Sequence, residues 1–277
     1  MVGRRPDGYH ELESLFLPLD LADEVELSVS RAQGARVELQ LIDGSSEVPR
    51  GAENLAVRAA SRFLSVAGLE RHVAIRLRKR IPVAAGMGGG SSDAAAVLLG
   101  LSRLLPGAVD AAELPELALS LGADVPFFLD PRPALVRGVG ELCEPLAPPW
   151  PARTLLLANP GRPLPTAEVF AVYDREPGAA PSRGQPPFFE LVRAAGSDVG
   201  ALPALLENQL DPAALSLCPA IAPLRDKLQD AGALGVGLSG SGATVFGVFP
   251  DEARARAALP HFEPPVWAWV ARTAEAR

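Results

Sequence analysis

The sequence is poor in lysine, in cysteine and in long apolar runs. Lys79 and Lys227 are the two lysines among its 26 basic residues, so a catalytic lysine has few candidates. The two cysteines, Cys143 and Cys218, lie far apart without the paired spacing of a metal knuckle or a redox motif, which indicates small buried side chains. No apolar run approaches the ~20 residues that cross a bilayer, and the first residues do not resemble a secretory signal. We therefore expect a cytoplasmic protein with no membrane partner.

Composition and charge favour a globular protein that does not bind nucleic acid. The 277 residues are 48% hydrophobic and 21% charged, with a mean hydropathy of +0.16, and this length allows two domains. The net charge is −7, and one short basic cluster spans residues 76–80, whereas duplex nucleic acid requires a broad positive face. Val73, Ile75 and Leu77 alternate with the first charges of this cluster, which predicts a half-buried strand with the charges facing solvent.

Strand and helix patterns alternate along the chain, which predicts an α/β or α+β protein. Residues 25–30 and 36–42 alternate around a turn at Gly34, which predicts a β-hairpin. The proline-rich residues 147–151 predict a domain boundary, and the Pro, Gly and Ser residues of 177–187 predict a mobile loop. We expect one domain over residues 1–148 and a second over residues 149–277.

The strongest local signal is a glycine-rich segment that runs directly into a helical pattern. The segment consists of Pro82, Val83, Ala84, Ala85, Gly86, Met87, Gly88, Gly89, Gly90, Ser91 and Ser92. Glycines leave the backbone N–H groups open to an anion, and the positive end of the following helix attracts it, so phosphate is the natural ligand. The segment lacks the Gly-Lys-Ser/Thr of a Walker A loop and the glycine spacing of the dinucleotide fingerprint. The alternative interpretation is a flexible turn with ordinary helix caps at Ser91, Ser92 or Asp93.

This segment resembles the nucleotide loop of the GHMP kinase superfamily, named for galactokinase, homoserine kinase, mevalonate kinase and phosphomevalonate kinase. Three further segments occur in the order and rough spacing of one branch of that superfamily. They are Asp-Gly-Tyr-His-Glu-Leu at residues 7–12, Leu-Gly-Ala-Asp-Val-Pro-Phe-Phe at residues 121–128 and Leu-Ser-Gly-Ser-Gly-Ala at residues 238–243. That branch phosphorylates the 2-hydroxyl of a cytidine diphosphate-linked methylerythritol in the non-mevalonate isoprenoid precursor pathway. The resemblance covers nearly the whole chain.

The resemblance implies a fold, a cofactor and a substrate class. The fold would be α+β, with an N-terminal ribosomal-protein-S5-like α/β domain and a C-terminal ferredoxin-like domain. ATP would be held by residues 82–92, with Mg²⁺ bridging its phosphates, and the acceptor would be a small molecule. Another GHMP kinase, of the homoserine or mevalonate type, and a non-catalytic nucleotide-binding relative are the alternatives. We expect a monomer or a weak homodimer.

The resemblance assigns catalysis to one carboxylate. Asp124 resembles the family's catalytic aspartate, which is placed to accept the proton of the substrate hydroxyl. Phosphoryl transfer depends mainly on positioning and charge neutralisation, so one carboxylate beside a phosphate loop is a sufficient minimum. From the residues alone, Asp124 between Gly122 and Pro126 is better explained as a turn or capping residue.

Four residues resemble the cytidine pocket of this branch. Tyr9 would stack on the base, where stacking contributes ~1–3 kcal/mol, and His10 would contact the edge of the base. Thr166 and Phe170 are four residues apart, so they share a face of a helix and would complete the pocket. From the residues alone, a core aromatic beside a surface histidine, and an N-cap threonine with a core phenylalanine, are the ordinary alternatives.

Two segments of the second half resemble further family motifs. Residues 239–242 resemble the third GHMP motif, a loop that closes near the phosphates, and a tight turn before a strand is the alternative. Residues 207–210 resemble an Asn-Asp-Leu/Phe helix segment of the family, with Gln209 in place of the acidic residue. We expect position 209 to be structural.

One family feature is missing from the sequence as given. The family carries a lysine in an Ala-Lys-Ile/Val-Asn strand upstream of Gly-Tyr-His, and this lysine is thought to polarise the hydroxyl. Tyr9 has eight residues before it, and neither lysine lies at a matching position. Arg4 and Arg5 are poor substitutes, since a forked guanidinium is not a compact ammonium. We expect the natural start to lie upstream and to include this lysine; a shortened, impaired enzyme is the alternative.

Overall fold

The computed structural model describes residues 1, 3–6, 8–42, 48–147, 150–175 and 186–274. The predicted domain boundary between residues 148 and 149, and most of the predicted loop at residues 177–187, lie outside these ranges. Within the ranges, no helix has the length and the apolar character needed to cross a membrane.

Strands and helices alternate through both halves of the chain. In chain order the strands are β1 (Gly3–Arg4), β2 (His10–Phe16), β3 (Glu24–Arg31), β4 (Arg36–Leu41), β5 (Arg71–Arg78), β6 (Ala134–Gly138), β7 (Leu142–Pro145), β8 (Thr154–Asn159), β9 (Gly235–Leu238), β10 (Val245–Phe249) and β11 (Trp267–Arg272). The helices are α1 (Leu55–Ala67), α2 (Gly89–Leu104), α3 (Leu114–Leu119), α4 (Thr166–Tyr173), α5 (Phe188–Ser197), α6 (Leu202–Leu205), α7 (Asp211–Leu217), α8 (Ile221–Asp230) and α9 (Glu252–Ala258). Short 3₁₀ helices span Pro126–Leu129, Val199–Ala201 and Leu259–His261.

Contacts divide the chain into two compact units. The first unit comprises Met1–Leu21, Ala84–Met87 and Arg132–Arg277, and the second unit comprises Ala22–Val83 and Gly88–Pro131. Four residues of the glycine-rich segment therefore group with the first unit, and the rest of the segment groups with the second. The domain limits predicted from the sequence stay a prediction.

The second unit is a three-stranded sheet covered by helices. Its strand order is β3-β5-β4, with β5 antiparallel to β3 and parallel to β4. The predicted hairpin of residues 25–30 and 36–42 is wrong, because β5 lies between the two strands. Its side chains Val73, Ile75 and Leu77 are fully buried, so β5 takes the central position and forms ladder bonds on both edges. A turn signal at Gly34 reports only local chain reversal and cannot reveal a strand that inserts from later in the sequence.

Helix α1 provides the crossover between the parallel strands β4 and β5. It starts where the Asn54 side chain accepts a hydrogen bond from the amide of Ala56 at 2.9 Å. It ends at Gly68, whose left-handed φ of 61° suits glycine. Its apolar face, with Phe63 and Leu64 fully buried, packs in one core with α2, α3 and β5.

The first unit contains two four-stranded sheets with the orders β1-β2-β6-β7 and β11-β8-β10-β9. The second of these sheets is antiparallel throughout. Within it the strands come in the sequence order β8, β9, β10 and β11, with helices after β8 and after β10. This connection and this strand order are those of a ferredoxin-like domain, so the expectation of such a domain in the C-terminal half is confirmed. The chain is α+β, as expected.

Candidate active site

Helix α2 begins at the glycine-rich segment without a side-chain cap. Its N-cap is Gly88, in the left-handed region at φ 66°, and among the described residues no side chain caps this end. The first intrahelical bond runs from the amide of Ser92 to the carbonyl of Gly88 at 2.9 Å, so the amides of Gly89, Gly90 and Ser91 precede the helical ladder. An uncapped helix N-terminus attracts anions through its N–H groups and its positive dipole end.

The predicted caps at Ser91, Ser92 and Asp93 are wrong, because the helix begins before them. These residues lie inside the first turns of α2. The Ser92 hydroxyl donates back to the carbonyl of Gly89 at 2.8 Å. Three consecutive residues of the type that favours caps mark the region of a helix start but not its first residue.

The N-terminal turn of α2 lies beside the segment that contains Asp124. In this turn Gly90 is exposed, Gly88 and Ser91 are half-buried, and Gly89 is buried. A Cβ added to Gly88 would lie 2.8 Å from the ring of Phe128, so this glycine packs against the 3₁₀ helix Pro126–Leu129. The glycine-rich turn and this 3₁₀ helix belong to the same compact unit.

Asp124 lies on the turn directly before that 3₁₀ helix. The turn is closed by a hydrogen bond from the amide of Val125 to the carbonyl of Gly122 at 3.1 Å. The side chain is half-buried, and burial raises the pKa of Asp124 above that of an ordinary carboxyl. A raised pKa makes this carboxylate a stronger base than a solvent-exposed aspartate.

Residues 84–87, in the first unit, are held by backbone hydrogen bonds. The amide of Leu164 donates to the carbonyl of Ala84 at 3.2 Å, and the amide of Thr244 donates to the carbonyl of Ala85 at 3.3 Å. The hydroxyl of Ser239 donates to the carbonyl of Gly86 at 2.9 Å. The third-motif loop, residues 239–242, therefore lies against the middle of the glycine-rich segment.

Gly86 is required by this close approach. Its φ is +73°, and an added Cβ would lie 2.2 Å from the carbonyl oxygen of Ser239 and 2.8 Å from the amide nitrogen of Gly242. Both distances are far shorter than a van der Waals contact between these atoms. Any side chain at position 86 would push the two loops apart.

His10 and Phe170, two of the predicted pocket residues, stack on each other in the first unit. Their ring centroids are 5.2 Å apart with an interplanar angle of 26°, and Tyr173 meets His10 edge-on at 5.5 Å. Nε2 of His10 lies 2.8 Å from an Asp174 carboxylate oxygen, in a contact that lacks the angles of a hydrogen bond. The other oxygen of Asp174 lies 3.2 Å from Nη2 of Arg4.

The remaining two predicted pocket residues are exposed. Tyr9 directly precedes His10 and is 63% exposed. Thr166 is the first residue of α4, one helical turn before Phe170, and its hydroxyl lies 3.0 Å from the Ser241 hydroxyl. Helix α4 therefore carries Thr166 next to the third-motif loop and Phe170 next to His10.

Sequence reasoning missed two contacts in the first unit. The side-chain amide of Asn208 donates to the carbonyls of Leu238 and Gly240, at 3.1 and 2.8 Å, and so braces the third-motif loop. Asn208 lies in the segment 207–210 that resembles a family motif, but the resemblance did not predict these hydrogen bonds. The contact of Asp174 with His10 was also missed, because a lone aspartate gives no sequence signal for a partner far away along the chain.

The prediction that the first charges of the cluster at residues 76–80 face solvent is confirmed for Arg76 and Arg78, and it did not extend to Lys79. Arg76, Arg78 and Arg80 form partly exposed ion pairs with glutamates of β3. The Lys79 side chain is 9% exposed and contacts Asp23 and Asp93. A strand pattern predicts which face a residue occupies, whereas the two aspartates that bury Lys79 come from other elements.

The sequence matches the models of two protein families and is similar to the sequences of known kinases. Residues 54–130 match the GHMP kinases N terminal domain, and residues 188–262 match the GHMP kinases C terminal domain. A 4-diphosphocytidyl-2-C-methyl-D-erythritol kinase from Geobacter metallireducens is 42% identical over 261 residues, which cover 93% of this chain and 87% of that protein.

Solved structures share the fold. A crystal structure of 4-(cytidine 5'-diphospho)-2C-methyl-D-erythritol kinase matches with a TM-score of 0.78 at 39% identity, covering 99% of this chain and 94% of that one. A homoserine kinase from Cytophaga hutchinsonii matches with a TM-score of 0.73 at 21% identity, covering 94% of this chain and 89% of that one, which shows a common fold alone. The chain therefore belongs to the GHMP kinases, which are ATP-dependent small-molecule kinases, in the family of the 4-diphosphocytidyl-2-C-methyl-D-erythritol kinases.

Proposed function

We propose that this chain transfers the γ-phosphoryl group of ATP to the 2-hydroxyl of 4-diphosphocytidyl-2-C-methyl-D-erythritol. The observation that carries the proposal is the arrangement within the second unit. The uncapped glycine N-terminus of α2 packs against the 3₁₀ helix that directly follows the half-buried Asp124. The identity to relatives that carry this substrate in their name supports the choice of acceptor.

The amides that begin α2 would bind ATP phosphate, and Asp124 would act as the general base. Asp124 takes the proton of the acceptor hydroxyl, and the hydroxyl oxygen bonds to the γ-phosphorus. The bond from that phosphorus to the bridging oxygen breaks, and ADP leaves with the electron pair. Burial of Asp124 favours this step, because it raises the pKa of the carboxyl that must accept the proton.

Mg²⁺ would enter with the nucleotide, where it neutralises charge on the phosphate oxygens. Across the described ranges there is no group of three or more His, Cys, Asp or Glu side chains that could hold a metal ion. Mg²⁺ keeps several waters and is bound through substrate phosphates in many kinases, so a protein cage is not required.

The cluster of His10 and Phe170 would recognise the cytosine. The Tyr9 ring is 63% exposed and adjoins His10 in sequence, so a base can cover it. Thr166 would complete the pocket from the first turn of α4. An aromatic pocket for the base favours a cytidylated acceptor over the small acceptors of related kinases, since stacking contributes ~1–3 kcal/mol.

A substrate panel tests the proposal. The purified protein is incubated with ATP, Mg²⁺ and, in separate reactions, 4-diphosphocytidyl-2-C-methyl-D-erythritol, mevalonate or homoserine, and ADP release is followed. We expect turnover of the cytidylated substrate alone. Turnover of mevalonate or homoserine without the cytidylated substrate contradicts the proposal, and ATP binding without turnover of any of the three favours a non-catalytic relative.

We also propose that the protein acts in the cytoplasm as a monomer or a weak homodimer. Composition supports this proposal, since the chain is globular with a net charge of −7. Sedimentation equilibrium over a range of protein concentrations tests it, and a tight dimer at the lowest concentration contradicts it.

A further inference from the structure

Three charged side chains form a buried cluster in the second unit, which we call the Lys79 cluster: Asp23, Lys79 and Asp93. Nζ of Lys79 contacts the Asp23 carboxylate and lies 2.9 Å from Oδ2 of Asp93. The three side chains are 1%, 9% and 6% exposed, in chain order. Moving such ions out of water costs several kcal/mol each, so stability alone is a weak reason for the cluster.

The Lys79 cluster holds both ends of the glycine-rich segment. At the entry, Oδ1 of Asp23 accepts hydrogen bonds from the amides of Arg80 at 2.6 Å and of Ile81 at 3.0 Å. At the exit, Asp93 lies on the second turn of α2. Lys79 contacts both carboxylates and thereby connects the chain before Pro82 with the helix after Gly88.

The cluster also lies against the backbone that would bind phosphate. A Cβ added to Gly89, the first residue of α2, would lie 3.3 Å from Nζ of Lys79 and 2.9 Å from Cγ2 of Ile81. The Gly89 backbone therefore lies next to the side chains of Lys79 and Ile81. A shift of either would move the amides at the start of α2.

We propose that Asp23, Lys79 and Asp93 are positioning residues for ATP, which clamp the entry and the exit of the glycine-rich segment so that the amides of residues 89–91 keep the geometry that phosphate requires. They act through the backbone and touch no reacting atom. The proposal rests on the ATP-dependent kinase activity of the family and not on the identity of the acceptor. Displacement of binding groups by about 1 Å can lower activity by about 10²-fold, so loss of this clamp can have a large effect on activity.

The charge state of the cluster is compatible with a bound polyanion. The pKa of Asp93 is raised to about 7, chiefly by burial, with Lys79 lowering it and Asp23 raising it. Near neutral pH Asp93 therefore carries a proton in part of the molecules. The cluster thus adds little repulsion to the phosphates.

Asp93→Ala tests the clamp, with ATP affinity measured by calorimetry in the absence of any acceptor. We expect ATP to bind at least about tenfold more weakly, because α2 loses its link to Lys79. Asp93→Asn should restore the affinity to within about threefold of wild type, because the amide oxygen still accepts from Lys79. The matched control is Val73→Ala, at the far end of β5 in a fully buried position, which should lower the melting temperature and leave ATP affinity unchanged.

The proposal is overturned if Asp93→Ala loses stability but not ATP affinity. A lower melting temperature, as expected for Val73→Ala, together with wild-type ATP affinity would show that the cluster is only structural. Lys79→Arg provides a second variant that keeps the positive charge should Asp93→Ala not fold. Its forked head cannot take the position of the compact ammonium that contacts both Asp23 and Asp93, so weaker ATP binding is expected and unchanged binding contradicts the clamp. Failure of the substrate panel with normal ATP binding would reject the acceptor and leave the clamp intact.

Discussion

The middle and the ends of the glycine-rich segment are held by different means. Residues 84–87 are held by backbone hydrogen bonds to Leu164 and Thr244 and by the hydroxyl of Ser239. The ends, at residues 80–81 and at α2, are held by the charged side chains of the Lys79 cluster. The middle of the segment has no space for a side chain at position 86, whereas the ends depend on the charged side chains of Asp23, Lys79 and Asp93. The two parts should therefore fail in different ways when mutated.

The largest effect is expected from a residue outside the segment. Asp124→Asn should lower kcat by at least ~10² and leave ATP affinity nearly unchanged, because the base is lost while the amides of α2 remain. Steady-state kinetics with calorimetry of ATP binding measure the two quantities. Asp130→Asn, an exposed carboxylate in the same region, is the control and should retain kcat. An unchanged kcat in Asp124→Asn would remove this residue from its role.

The middle of the segment should be disrupted by one methyl group. Gly86→Ala places a Cβ 2.2 Å from the carbonyl oxygen of Ser239, so we expect ATP affinity to fall by about 10²-fold. Gly232→Ala is the matched control, since its φ of +89° is equally strained and nothing lies within 4 Å of the added Cβ. The control should lose only about 1 kcal/mol of stability. Equal ATP affinities in the two variants would show that the close approach at Gly86 is unimportant.

A smaller effect is expected in the first unit, where Asp174 contacts His10. Asp174→Ala should raise the KM of the cytidylated substrate by no more than about tenfold. A well-aligned hydrogen bond to a charged group contributes about 1.5–3 kcal/mol, and this contact is poorly aligned, so it should contribute less. The KM of ATP should not change. Glu252→Ala, which removes an exposed helix ion pair with Arg256, is the control. An equal rise in both KM values would indicate general damage to the protein.

The last effect concerns stability and not activity, and it is a pH dependence that comes from Asp93. Its pKa is raised from 3.8 to about 7, chiefly by burial, so the folded state favours the protonated carboxyl. The stabilising contribution is full below pH 3.8 and is lost as the pH rises through about 7. Within this window the free energy of unfolding should fall by up to about 1.4 kcal/mol per pH unit more in wild type than in Asp93→Asn. Urea unfolding at several pH values measures the difference, and parallel curves for the two proteins contradict it.

Local patterns predicted the features that depend on neighbouring residues. The glycine-rich segment and the helical pattern after it indicated helix α2, because these signals lie within a few residues of the structure they form. The start of α2 was misplaced, since the left-handed Gly88 begins the helix before Ser91, Ser92 and Asp93. Resemblance, and not pattern, made Asp124 the candidate base, whereas its residue type alone indicates a turn.

Features that join distant parts of the chain could not be predicted. The β3-β5-β4 order depends on a strand that follows β4 by a whole helix. Lys79 follows the last residue of β5 and contacts Asp23 across 56 residues, so the strand pattern gave no prediction of its environment. Which strands and side chains pair across such distances depends on burial and hydrogen bonding in the complete fold. A local sequence signal does not contain that information.

The central claim is that the start of α2 binds the phosphates of ATP. Heteronuclear NMR of the ¹⁵N-labelled protein observes the amides of Gly89, Gly90 and Ser91 directly during titration with ATP and, separately, with adenosine. We predict large shifts of these three amides with ATP and small ones with adenosine, because the phosphates accept their hydrogen bonds. Shifts that are equally small with both ligands, at ATP concentrations that saturate the protein, would contradict the claim.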